Sequence, residues 1–147
     1  MKIGIANDHR GKELKFKIID YLNNKNIEYI NYGTDTEDSV DYVDYALKLC
    51  NGINNHEVDL GILICGTGIG MSIAANKIKG IRAARCVTKD DAYHTRVDND
   101  ANILCLSYNN ELDTLLDIIN TFISTPFSNL ERHVRRVNKI TKLESGE

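Results

Sequence analysis

One thiol stands where an apolar run meets a glycine-rich loop: GILICGTGIGMSIAANK, residues 61–77. Gly61 to Ile64 reads as a core strand, Gly66, Thr67, Gly68, Ile69 and Gly70 follow without a gap, and 71–77 reads as a short helix. Backbone N–H groups in such a loop, backed by a helix dipole, stabilise an anion. The same field favours a thiolate at Cys65. Glycines permit the close backbone approach and positive φ that the loop needs. A reactive sulfur and an anion cradle thus arise at one point.

Such a loop has to be held by a scaffold, and the flanking sequence supplies one. Strand-like runs at 2–6, 27–32, 59–64, 81–86 and 102–107 alternate with helical patterns at 11–22, 41–53, 71–77, 90–97 and 111–124. The first helix carries Leu14, Ile18, Ile19 and Leu22 on one stripe, and the last carries Leu112, Leu115, Leu116, Ile119 and Phe122. This order predicts an α/β fold with a five-stranded parallel sheet, helices on both faces and right-handed crossovers. Ligands in such folds collect at the carboxyl ends of the strands. Asn7, Asp8, His9 and Arg10 follow the first strand, Gly33 to Asp35 the second, and Cys65 ends the third. Asp98, Asn99 and Asp100, in the loop before the fifth strand, are expected to join them.

The chain's 147 residues suit one domain with a full core. A net charge of −3 gives no support to a nucleic-acid or anionic-membrane role. No apolar run reaches the length of a membrane span, and strand-like sequence starts at once after Met1, where a signal peptide would carry a longer apolar stretch. Cys50, Cys65, Cys86 and Cys105 lack metal-ligand spacing, and all but Cys65 read as small core residues of a reducing cytoplasm. After Pro126, the stretch FSNLERHVRRVNKITK (127–142) reads as an extended basic helix. Arg132 and Arg136 share one face at i, i+4, as suits two guanidinium groups on one phosphate, or simply a solvated face.

The segments ICGTGIGMSIAANKIKGIRAA (64–84), NDHRGKELK (7–15), DSVDYVDYA (38–46), DNDAN (98–102) and RHVRRVNKI (132–140) resemble the type B ribose-5-phosphate isomerases. These share a superfamily with the galactose-6-phosphate isomerase subunits, which generally lack the cysteine, so Cys65 places the chain nearer the pentose branch. The resemblance implies a doubly wound, Rossmann-like α/β/α sandwich forming one domain over 1–147, its C-terminal helix (127–147) packing on or reaching into a partner. It further implies a homodimer or a tetramer of paired dimers, with active sites at the dimer interface, and no metal or organic cofactor. The implied reaction interconverts a phosphorylated aldose and ketose, first of all ribose 5-phosphate and ribulose 5-phosphate, through a cis-enediolate. Cys65 would move a proton between C1 and C2, with Thr67 assisting at the hydroxyls. The amides of Gly66, Gly68, Ile69 and Gly70 would stabilise the enediolate, and Asn99 would help hold the oxyanion. Asp8 would bind hydroxyls or help open the ring, and Asp41 and Tyr42 would line the pocket. His9, with Arg132 and Arg136 from the second subunit, would hold the phosphate.

Several positions depart from that family's pattern. Asp98 replaces the histidine that helps open the furanose ring; a carboxylate is a poor proton donor at neutral pH, and His94 lies one helical turn earlier. The segment after the fifth strand, Ser107 to Glu111, has Asn109 where an arginine usually contacts phosphate. Arg10 and Arg85 stand where small or apolar residues are usual, and either could restore that charge. Asn129 to Glu131 replaces a glycine pair, and Val43 a proline. The proton-abstraction parts are therefore kept while ring-opening and phosphate-binding parts are altered. That pattern fits ribose 5-phosphate, another sugar phosphate such as a hexose 6-phosphate, or an inactive sugar-phosphate binder. A thiol phosphatase would need an arginine in 66–71, which has none, and GxGxG after a third strand is not a dinucleotide fingerprint.

Overall fold

The computed structural model describes residues 1–146; Glu147, the last residue of the expected C-terminal segment, lies outside the described residues. Five strands, β1 (Lys2–Asn7), β2 (Glu28–Asn31), β3 (Leu60–Cys65), β4 (Ala83–Arg85) and β5 (Ile103–Ser107), make one sheet in the order β2-β1-β3-β5-β4. All pairings are parallel. The helices are α1 (Lys12–Asn24), α2 (Tyr42–Asn54), α3 (Ile69–Ala75), α4 (Lys89–Asn99), α5 (Leu112–Ser124) and α6 (Glu131–Leu143). Among the described residues no helix is long and apolar enough to cross a membrane.

Every residue of β3 is buried, as a central strand covered on both faces requires. Its alternate side chains serve two cores. Ile62 and Ile64 join Ile3, Ile5 and Leu104 beneath α1 and α5, where Ile18, Leu22, Ile118 and Phe122 pack. Leu63 and Cys65 join Ile103 and Cys105 beneath α2 and α3, where Leu49, Ile53, Met71 and Ala75 pack. The doubly wound α/β/α architecture is thus present. From β1 the chain turns outward through α1 to β2, then returns through α2 to β3 on β1's other side. The crevice between the carboxyl ends of β1 and β3 is therefore the switch point at which such sheets bind ligands.

Three local differences from the sequence reading bear on the site. α3 starts at Ile69, because Gly68 takes a left-handed conformation (φ 78°) that caps it, so Ile69 and Gly70 belong to the helix. α6 starts at Glu131 instead of 127: Asn129 has φ 57°, and the Ser128 N–H donates to the Val97 carbonyl at 3.2 Å, pinning this stretch to α4. The loop before β5 is at the amino edge of the sheet, not with the carboxyl ends. α4 carries the chain down the sheet, and the Asn102 carbonyl accepts from Gly61 N–H at 2.9 Å, level with the start of β3. Cys65 lies four residues further along β3, about 13 Å at about 3.3 Å per residue.

A buried cation fixes the approach to the site. Lys15 is fully buried and donates from Nζ to the Thr34 carbonyl and to Asp35 Oδ1. That bond, then the amide of Asn31, holds the Asp35 carboxyl below the usual carboxylate range. Lys15→Met is expected to lower the unfolding free energy by about 2 kcal/mol, because the Thr34 carbonyl loses a charged donor while the largely exposed Asp35 is simply rehydrated. Asp35's depressed folded-state value means its share is present above about pH 4 and is lost as pH falls through that value. Urea midpoints of the two proteins should therefore draw closer below about pH 4.

Candidate active site

Cys65 ends β3 pointing into the crevice, almost wholly buried, and its Sγ accepts the Gly68 N–H at 3.1 Å. An N–H aimed at sulfur stabilises the negative form of that atom. The geometry depends on Gly68: a Cβ there would lie 3.1 Å from the Leu106 carbonyl carbon, on a backbone that already has positive φ. Thr67 is exposed beside the sulfur, its Oγ1 accepting from Ile69 N–H at 3.1 Å. The rest of the loop is held from outside. The Gly66 carbonyl accepts from Ser107 Oγ at 2.7 Å and Asn109 Nδ2 at 3.2 Å, and the Thr67 carbonyl accepts from Arg85 Nε at 2.8 Å. Ser107, Asn109 and Arg85 are therefore loop supports, a role that sequence reasoning did not assign to Ser107 or Asn109.

β1 delivers the next groups. Asp8 N–H donates to the Ile64 carbonyl at 3.1 Å, which seats Asp8 beside Cys65. Its Oδ1 accepts from the N–H groups of Arg10 and Gly11 at 3.0 and 3.1 Å, capping a single 3-10 turn, His9–Gly11. Buried Asn7 fixes the adjoining backbone by donating Nδ2 to the Asp8 and Thr34 carbonyls. His9 Nδ1 accepts the Val40 N–H at 3.2 Å, so a neutral ring carries its proton on Nε2 and presents a donor. Asp41 and Tyr42 open α2, both exposed, and the Tyr42 ring lies so close over Gly70 that a Cβ there would be 2.8 Å from it. Asp8, His9, Asp41, Tyr42, Cys65, Thr67 and the loop residues 66–70 thus share one end of the sheet.

Asp98, Asn99, Arg132 and Arg136 form a second group elsewhere. Helix α4 spans 11 residues, about 16 Å at about 1.5 Å per residue, and its far end carries Asp98 and Asn99. Asp98 is flanked by His94 Nδ1 at 3.4 Å and His133 Nε2 at 3.6 Å. Buried His133 is also tied through Nδ1 to Ser128 Oγ at 2.6 Å; sequence reasoning missed its pairing with Asp98, which joins α6 to α4. The Asn99 carbonyl accepts from Arg82 Nε at 3.0 Å. Arg132 and Arg136 stand exposed on α6 beside this cluster. Among the described residues nothing within one chain brings this group to Cys65.

The other three cysteines lie within the two cores. Burial pushes the Cys50 thiol up to about 11 and, with Asp91 adding, the Cys86 thiol up to about 12. Burial also drives Cys105 well above the ordinary thiol range. All three are core thiols, as the sequence suggested. Among the described residues no His, Cys, Asp and Glu cluster has the makings of a metal site.

The arrangement is matched in known proteins. The Ribose/Galactose Isomerase family model matches residues 3–140. The structure of Clostridium thermocellum ribose-5-phosphate isomerase B is similar with a TM-score of 0.97 and 47% identity, covering 99% of each chain. That of Mycoplasma genitalium ribose-5-phosphate isomerase B with bound ribulose-5-phosphate has a TM-score of 0.92 at 37% identity, covering 99% of this chain and 97% of its own. A Rickettsia bellii relative, described no more specifically than as a sugar phosphate isomerase, is 48% identical over 94% of this chain and 96% of its own. With the family matched from the first strand into the last helix, and solved structures similar over nearly their whole length, the chain belongs to the Ribose/Galactose Isomerase family.

Proposed function

We propose that this protein interconverts ribose 5-phosphate and ribulose 5-phosphate, with Cys65 as the base. The observation that carries the reading is the Cys65 Sγ held by the Gly68 N–H at 3.1 Å, beside Asp8, at the switch point of the sheet. In the open-chain aldose the thiolate takes the proton from C2. The C2–H electron pair becomes the C1–C2 double bond, and charge develops on O1. Amides of the 66–70 loop stabilise that oxyanion, while Thr67 moves the proton between O1 and O2. Cys65 then returns its proton to C1 as O2 becomes the ketone, so no atom is gained or lost. A positioned base of this kind contributes about 10²- to 10⁴-fold in rate.

The second group of residues fits the same reaction if a second copy supplies it. Tyr42, Val43, Leu47 and Ile73 are exposed on α2 and α3 next to the thiol loop, around an apolar groove of about 280 Å³, and Ile69 is exposed at the start of α3. Exposed apolar patches of this kind mark association surfaces. A homodimer that covers this face would bring Asp98, Asn99, Arg132 and Arg136 of the partner subunit to the open side of the crevice. There the arginines hold the phosphate, and the His94–Asp98 pair supplies a proton donor for ring opening. Four free cysteines suit the reducing cytoplasm as the place of work.

The test is isomerisation in D2O with a panel of aldose phosphates, following C2 exchange and ketose formation by NMR. Ribose 5-phosphate turnover at ordinary enzyme rates is the expected result. Turnover confined to a hexose 6-phosphate would make Asp98 and Asn109 specificity determinants for another substrate. Silence across the panel, with Cys65 shown to be reduced, would sink the isomerase reading.

A further inference from the structure

A cavity of about 570 Å³ opens beside the thiol loop, between the His9–Gly11 turn, the start of α1 and the residues that follow β5. His9, Arg10, Lys12, Lys17, Tyr108 and Asn110 line it. The Arg10 guanidinium reaches over the loop: Nη1 lies 3.9 Å, and the Tyr108 ring 3.5 Å, from the place a Gly66 Cβ would take. Arg10's backbone is anchored by Asp8 at 3.0 Å, yet among the described residues its guanidinium has neither hydrogen bond nor ion pair. The neighbouring charges differ. Lys12 is paired with Glu37 at 3.6 Å, and Arg85 spends its Nε on the Thr67 carbonyl at 2.8 Å. Asn109, though at the loop, has no charge and is bonded to the Gly66 carbonyl.

We propose that Arg10 binds the phosphoryl group of the substrate, reaching from β1's side of the loop to supply the cation that Asn109 cannot. The assignment rests on the sugar-phosphate isomerase reading, and separates Arg10 from Arg85, which sequence alone leaves equivalent. A guanidinium offers two parallel N–H donors to a phosphate, so a free one over the loop is suited to a dianionic monoester. His9, with a donor at Nε2, faces the same cavity. Glu13 also lines it.

Calorimetric titration with inorganic phosphate tests this without requiring turnover. Arg10→Ala is expected to weaken phosphate binding by about 10- to 100-fold, the range for one charge-assisted contact. KM for ribose 5-phosphate should rise by a similar factor, with a smaller fall in kcat. Adding Asn109→Arg to Arg10→Ala should recover most of the phosphate affinity; Ser107 still holds the Gly66 carbonyl at 2.7 Å in that double variant. Arg10 is exposed, so its replacement leaves the core intact. No measurable phosphate binding by the wild-type protein, or unchanged binding and KM in Arg10→Ala, overturns the proposal. So does a fall in kcat with phosphate affinity unchanged. A wild-type protein that binds phosphate through Arg10 but isomerises nothing would defeat the isomerase reading alone.

Discussion

Cys65→Ala is expected to lower ribose 5-phosphate turnover by about three orders of magnitude while the protein stays folded, because a positioned base accounts for about 10²- to 10⁴-fold. The change deletes one sulfur from a small side chain, so the cavity left under α3 should cost only about 1 kcal/mol. Circular dichroism and thermal midpoint should therefore stay close to wild type while C2 deuterium exchange disappears with ketose formation. Loss of both signals together matters: exchange without ketose would mean that abstraction survives and a later proton transfer has failed. Cys65→Ser separates geometry from basicity. Its hydroxyl can still accept the Gly68 N–H, yet it stays protonated at neutral pH, so its turnover should fall with that of the alanine variant. Residual isomerisation within about tenfold of wild type in Cys65→Ala would remove the thiol from the mechanism.

The features that make this prediction sharp were legible because they are local. The continuous apolar run of β3, the cysteine at its end and the glycines behind it are consecutive residues, so sequence order is spatial order. The βα alternation was readable for the same reason, through the short apolar runs of the strands and the helical stripes of α1 and α5. What was not legible depends on contacts distant in sequence. Lys15 is buried because Thr34 and Asp35 arrive to accept its protons, and nothing in the α1 pattern announces this. The late start of α6 follows from Ser128 bonding to Val97 across two helices. Asp98 was expected at the carboxyl ends because it precedes β5 in sequence. Because β4 and β5 run parallel, the chain leaves β4 at its carboxyl end, descends through α4 and enters β5 from the amino edge, so Asp98 comes to that edge. That single topological fact divides the candidate residues into two groups.

The division yields the other large effect, in mixtures of two impaired proteins. Cys65→Ala and the double variant Arg132→Ala/Arg136→Ala should each be nearly inactive at substrate concentrations well below KM. The first lacks the base. The second lacks two phosphate-binding cations, each worth about 10- to 100-fold. If sites combine Cys65 of one subunit with the arginines of its partner, subunit exchange creates mixed dimers in which one site has every wild-type group and the other has none. Equal mixing makes about half of the dimers mixed, so activity should climb to about one quarter of wild type, as isologous two-fold symmetry requires. Because α6 holds its register through buried His133 and Val137, removing the exposed arginines should not dislodge it. Size-exclusion chromatography would establish the dimer, and a tagged subunit would report exchange. Activity that stays at the sum of the two parents despite proven exchange would place Cys65 and the arginines in independent roles. The alternative, a site completed within one chain, would require α6 to cross about 13 Å of sheet from the edge where Ser128 and His133 fasten it.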